Sequence, residues 1–285
     1  MRHFILFVFS ILLVFSLSNA MAEDKIPWQK INNGEKLSEG HKQLVTKVLK
    51  TTRGYAFCED TIFNCLQQYP SNESILRQAS YIVRRSKIEK NVDQIKLAFQ
   101  KRIYSLYNPK RHQPNVEKMQ YSGDPKAPIV VVAYADFECP YCKIAVPALR
   151  RISQERPDFM VLYFKNFPIK SHKNALPASK ALVAADNQGK FWEMLDILYK
   201  QTDFSNENLN KIATYLKLDL VKFKNDIDDK KTLARIKKEK LEAMTFDIFS
   251  TPGILINGKL YNGPKSYAEL LDILEEELDI VQGRQ

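Results

Sequence analysis

Residues 136–143 read DFECPYCK, two cysteines separated by Pro140-Tyr141. Directly upstream, PIVVVAYADF (128–137) is a short apolar run rich in Val and bounded by Pro. That pattern predicts a buried strand. Downstream, CPYCKIAVPALRRISQER carries Ile144, Ala148, Leu149 and Ile152 at helical spacing, and FMVLYFKNF (159–167) predicts a second strand. Strand, helix, strand in that order implies a right-handed crossover joining parallel strands. The cysteines then fall at the carboxyl end of the first strand, where open α/β sheets place their chemistry.

Such a pair can be half of a metal site, a staple or a redox centre. A structural zinc site takes about four Cys or His ligands. The remaining cysteines, Cys58 and Cys65, are not spaced as a second CxxC, and His3, His41, His112 and His172 form no spaced pair. No metal is therefore expected. A staple over so small a ring is strained and easily reduced. The redox reading follows from the helix start. With Cys139 as N-cap, Pro140 takes the first helical position, which Pro favours. Cys142 then lies one turn on, on the same face. A Cys139 thiolate faces unsatisfied backbone N–H groups and the positive end of the helix dipole, so its pKa should fall. Thiolate is the attacking species in disulfide exchange. Asp136 and Glu138 are either solvated charges that oppose the thiolate or candidate acid/base groups.

The chain has 285 residues and a net charge of +10 spread along its length. This reads as a basic solvated surface, with no motif for nucleic acid. MRH opens the chain, an uncharged run fills residues 4–17, and SNAMA follows. The pattern predicts a signal peptide over 1–22, with an uncleaved anchor as the alternative, and so a periplasmic or other extracytoplasmic setting. Disulfides persist there. Four cysteines allow three pairings, and the short separations favour Cys58–Cys65 with Cys139–Cys142.

Apolar stripes at 36–53, 72–89 and 92–106 predict a small helical region over 23–106, with N-caps near Ser71-Asn72 and at Asn91. Four prolines in 107–128 and no apolar period predict a linker, taken as 107–122. Helical patterns recur near 174–187, 190–200, 206–216, 219–227 and 229–246. GILINGKLYNG (253–263) then predicts a hairpin turning at Asn257-Gly258. A last amphipathic helix is expected over 266–279.

GDPKAPIVVVAYADFECPYCK (123–143) resembles the start of the catalytic domain of DsbA-like thiol:disulfide oxidoreductases in the thioredoxin superfamily. Pro147 resembles the proline within the helix of that fold, and STPGILINGKLYNG (250–263) resembles its final hairpin. The resemblance implies an α/β thioredoxin fold over 123–285 with an all-helical insertion near 171–247. It implies Cys139 as nucleophile, Cys142 as resolving cysteine, and a cis peptide between Thr251 and Pro252 that leaves Thr251 to receive a substrate strand. The implied activity is disulfide formation in exported proteins, needing no cofactor. The implied partners are unfolded protein clients and a membrane redox partner of DsbB or DsbD type. Isomerase or reductase work stays open, as does a chaperone that kept only the fold. Pro-Tyr in place of Pro-His implies a less oxidising centre than in the strongest oxidants. Thr before the cis-proline is similar to isomerases and ScsC-type relatives, which oligomerise through N-terminal extensions. The apolar stripes of the N-terminal region either fold back on the catalytic domain or pair between chains, and a homo-oligomer through this region is the favoured reading. Cys58 and Cys65 are expected to form a structural disulfide.

Overall fold

The computed structural model describes residues 25–56 and 58–284. The expected signal peptide lies outside the described residues. Among the described residues no helix is long and apolar enough to cross a membrane.

Four helices come first: α1 (Glu39–Thr51), α2 (Ile62–Gln68), α3 (Glu73–Ser86) and α4 (Val92–Tyr107). Each has an N-cap side chain accepting from a backbone N–H three residues on, from Ser38, Thr61, Asn72 and Asn91. Such caps satisfy one of the donors a helix start leaves unpaired. Helix α2 escapes the apolar-period reading because seven residues give too few turns to show a stripe.

A five-stranded sheet follows, ordered β1-β3-β2-β4-β5, from β1 (Tyr121–Ser122), β2 (Ile129–Ala135), β3 (Met160–Asn166), β4 (Gly253–Ile256) and β5 (Lys259–Tyr261). β2 and β3 are parallel and joined through α5 (Pro140–Glu155), and the other pairings are antiparallel. Side chains alternate across β2. Ile129, Val131 and Ala133 meet α5 and the last helix, α11 (Tyr267–Val281), while Val132 and Tyr134 face the opposite layer. Asn257 and Gly258 both take positive φ, 46° and 80°, as a tight hairpin turn requires. Between β3 and β4 lie α6 (Ala175–Asp186), α7 (Phe191–Leu198), α8 (Asn206–Tyr215), α9 (Leu220–Asp228) and α10 (Lys230–Thr245). They match the expected helical insertion. Their apolar faces close over Ala135, Phe137, Cys142, Val146 and Phe164, at the carboxyl ends of β2 and β3.

One expectation needs revision. The segment read as linker, 107–122, is neither loose nor free of structure. Tyr107 ends α4, and Tyr121-Ser122 pair with Tyr163 and Leu162. Between them, His112 N donates to Gly258 O at 2.8 Å, Asn115 N to Glu242 Oε1 at 2.9 Å, and Lys165 Nζ to Asn115 O at 2.6 Å. Prolines hid this strap because extended chain tied by single bonds shows no period.

Of the two covers open to the apolar stripes, the catalytic domain of the same chain and a second chain, the structure shows the first. Val45, Val48, Leu49, Ile82, Ile95 and Phe99 belong to the same core as Leu149, Leu270 and Leu274. Arg102 sits on the buried stripe of α4, its side chain 1% exposed. It donates to Asp272 at 2.9 Å and Glu276 at 2.5 Å on α11, and to Tyr55 Oη at 3.1 Å. Arg84 adds bonds to Glu269 and Asp272. A buried cation is tolerated only when so paired.

Candidate redox site

The site is assembled at the carboxyl end of β2. Cys139 is the N-cap of α5 in extended conformation, and Pro140 opens the helix. Pro147 lies inside α5, where it has no N–H to give the preceding turn. Asp136, fully buried, shapes the loop between strand and helix. Its Oδ1 accepts from Glu138 N at 2.7 Å and Cys139 N at 3.1 Å, and its Oδ2 from Ile169 N at 2.7 Å. His172 Nδ1 stands 3.0 Å from Oδ2. Glu138 reaches the start of α6, accepting from Asn174 N at 2.6 Å and Asn174 Nδ2 at 3.1 Å. Both carboxylates therefore hold backbone around the cysteines, and neither is among the largest influences on the Cys139 thiol.

The second wall comes from far along the chain. The Thr251–Pro252 peptide is cis, and Cys139 Sγ lies 3.3 Å from Thr251 O. β4 begins directly after this bond, and a Cβ on Gly253 would fall 2.3 Å from Ile248 Cγ2, so only glycine fits there. The Thr251 hydroxyl acts on both sulfurs, though no hydrogen bond of good geometry satisfies it. Tyr141 and Ile144 on α5, and Phe249 just before Thr251, stand exposed.

Cys139 and Cys142 are both reduced and buried. The Cys139 thiol is lowered to about 5, chiefly by the hydrogen bond from Cys142, then by Thr251 and the backbone N–H groups of Cys142 and Tyr141. The neighbouring thiol thus outweighs the helix N–H groups from which the sequence reading argued. Cys142 shifts the other way: burial pushes it up, and the charge on Cys139 adds to this. One thiolate and one protected thiol result, the division of labour disulfide exchange requires. Two further side chains bear on Cys142. Burial lowers the Lys265 ammonium to about 8, against the pull of Cys142. Its Nζ donates to Gly263 O at 2.7 Å and Tyr261 O at 3.3 Å. Tyr199, at the end of α7, packs on Phe137. His172, Lys265 and Tyr199 carry no local signal, since each reaches the loop across more than about 30 residues of chain.

Residues 115–276 match the profile of a family described as Thioredoxin. The chain belongs to the thioredoxin family. Among relatives, it is 29% identical over 193 residues to a probable disulfide bond formation protein D of Bacillus anthracis, covering 62% of this chain and 88% of that one. It is also 32% identical over 163 residues to the Na(+)/H(+) antiporter NhaA 1 of Mycobacterium sp. (strain KMS). That alignment covers 56% of this chain and 27% of the antiporter, so the chain spans about a quarter of the length of such relatives. In fold it is similar to oxidised BdbD from Bacillus subtilis, with TM-score 0.52 and 22% identity over 60% of this chain and 98% of that one. Alpha-DsbA1 from Wolbachia pipientis gives TM-score 0.52 and 20% identity, over 60% and 96%. The thioredoxin fold with its helical insertion is thus DsbA-like.

The first pair, Cys58–Cys65, is a closed disulfide with Cα atoms 6.1 Å apart. It joins the middle of α2 to the loop before it, and both residues are buried in the core shared by the N-terminal helices and the sheet.

Proposed function

We propose that this protein is an exported thiol:disulfide oxidoreductase that passes the Cys139–Cys142 disulfide to unfolded protein clients. The observation that carries the reading is the opposite displacement of the two thiols, Cys139 down to about 5 and Cys142 up, beside Thr251-Pro252. A client thiolate attacks Cys139 Sγ of the disulfide, and Cys142 leaves as thiolate and takes a proton. A second client thiolate then attacks the client sulfur of the mixed disulfide. The client disulfide forms, and Cys139 leaves as a stabilised thiolate.

A stabilised leaving thiolate favours the reduced enzyme and so disulfide donation. A Cys139 value near 5 lies between those of thioredoxin, about 7, and DsbA, about 3.5. The reduction potential should accordingly fall between about −270 and −120 mV. Exposed Tyr141, Ile144 and Phe249 offer apolar contact to an unfolded client, and the Thr251 backbone offers an edge for an extended segment. The centre needs no cofactor. Reoxidation falls to a membrane quinone-linked partner of DsbB type, and the apolar run at 4–17 directs export. Isomerase work would instead require a DsbD-type reductant.

The test is equilibration of the mature protein in glutathione buffers together with oxidation of a reduced client. A potential above about −200 mV with stoichiometric client oxidation is expected. A value near −270 mV would replace the donor reading with a reductase.

A further inference from the structure

Tyr199 caps the carboxyl end of α7. Its ring lies against Phe137, centroids 4.8 Å apart, and edge-on to Phe164 at 6.2 Å. It belongs to the cluster that holds Cys139, Cys142, Ala135 and Val146. All these ring contacts are apolar, and a phenylalanine would make every one of them. Yet the phenol oxygen is buried with no hydrogen-bond partner. An unpaired buried hydroxyl costs stability and calls for a reason.

The reason lies in the groups that surround Tyr199, whose ring packs on Phe137 in the loop between Asp136 and Cys139 and shares a cluster with both cysteines. Burial, and then the negative charges of Cys142, Asp136 and Cys139, in that order, oppose its ionisation, so it stays a neutral donor beside the pair. Asp136 already accepts from three backbone N–H groups. Cys139 has the Cys142 thiol, Thr251 and two N–H groups to hold its charge. Cys142 is less well provided: its Sγ accepts from Asp136 N at a long 3.5 Å, it shares the Thr251 hydroxyl with Cys139, and Lys265 is the cation that bears on it. Exchange nonetheless forms a Cys142 thiolate in either direction. It leaves as thiolate when a client attacks Cys139, and it attacks as thiolate when a mixed disulfide on Cys139 is resolved.

Resting on the exchange reading above, we infer that Tyr199 is a positioning residue for Cys142, its hydroxyl donating, directly or through one water, to the sulfur whenever it carries negative charge. The insertion would then supply a working group to the centre as well as covering it.

A chromogenic aromatic disulfide separates the two cysteines. The Cys139 thiolate attacks it, forming a mixed disulfide and releasing one aryl thiolate. Cys142 then loses its proton and attacks Cys139 Sγ, the mixed disulfide breaks, and a second aryl thiolate leaves as Cys139–Cys142 closes. In Cys142→Ser only the first release should remain, which assigns the phases. In Tyr199→Phe the first release should match wild type within about twofold, and the second should slow about tenfold or more, the loss expected for a hydrogen bond to a charged group. The pH profile of the second release should move to higher pH, set by Cys142 with Asp136, Cys139 and Lys265 as the charged groups around it. The thermal midpoint should stay level or rise, because an unpaired hydroxyl has gone. An unchanged second release overturns the inference. So does slowing of both releases together with a lowered midpoint, which would make Tyr199 a packing residue only. If the wild-type protein shows no rapid first release at pH 6, the exchange reading falls, and this inference with it.

Discussion

Cys58–Cys65 and Cys139–Cys142 are both buried pairs within one chain, yet they differ in every feature that governs reactivity. The first is closed and lies in the core beneath the N-terminal helices. The second is open, begins a helix, and meets a cis-proline loop contributed from more than a hundred residues away. Burial alone therefore does not decide whether a thiol works. In the second pair, burial raises Cys142 while donors outweigh it at Cys139, and this asymmetry sets the chemistry.

The strongest way to break the comparison is Cys139→Ser. Client oxidation should fall by at least about a thousandfold, the scale of losing a covalent nucleophile. If turnover persisted, Cys58–Cys65 would have to be the working pair.

Arg102→Met tests whether the two pairs share one cooperative unit. Removing the cation leaves Glu276 buried and uncompensated, while Asp272 keeps Arg84, at about 3–5 kcal/mol. Denaturant unfolding should lose that stability in a single transition reported by both regions. Two separate transitions would make the N-terminal helices an independent domain.

Replacing Cys58 and Cys65 by Ser opens a short loop and should cost about 2–3 kcal/mol in the same experiment. First-phase reactivity at Cys139 should be retained. A large drop in that rate would reveal a relay between the pairs.

Thiolate absorbance of the reduced protein should titrate with a midpoint of about 5, from Cys139. Because the folded value lies below the ordinary 9.0, the reduced form gains stability as pH rises from about 5 to 9 and loses it as pH falls through about 5. The oxidised form should lack this dependence. The smallest effect is expected from Thr251→Val, which removes a hydroxyl acting on both sulfurs. The midpoint should rise by about half to one pH unit, the worth of one hydrogen bond. No movement would leave the Cys142 thiol and the backbone N–H groups as the donors that hold the charge.

Much of the fold was legible in residue pattern. The βαβ unit, five insertion helices and the hairpin each show a period or turn signal within their own length, and their observed bounds fall within a few residues of those expected. The strap at 108–120 and the two-residue β1 did not, because each is defined by partners on other elements. The two prolines of that strap, Pro109 and Pro114, look the same in a loose linker as in a bound one.

By itself the sequence determined the helix start at Cys139-Pro140, the one-turn spacing to Cys142, and the burial of β2, because these depend on neighbours within a few residues. Tertiary structure alone decided what surrounds those sulfurs. Asp136 and Glu138, candidates for proton transfer by position, are bound to backbone at Ile169 and Asn174. Tyr199, Lys265 and Thr251 are brought to the pair by the insertion and the hairpin. The apolar faces of α1, α3 and α4 met α11 and the sheet of their own chain. An amphipathic stripe states that it must be covered, and only packing in three dimensions chooses the cover.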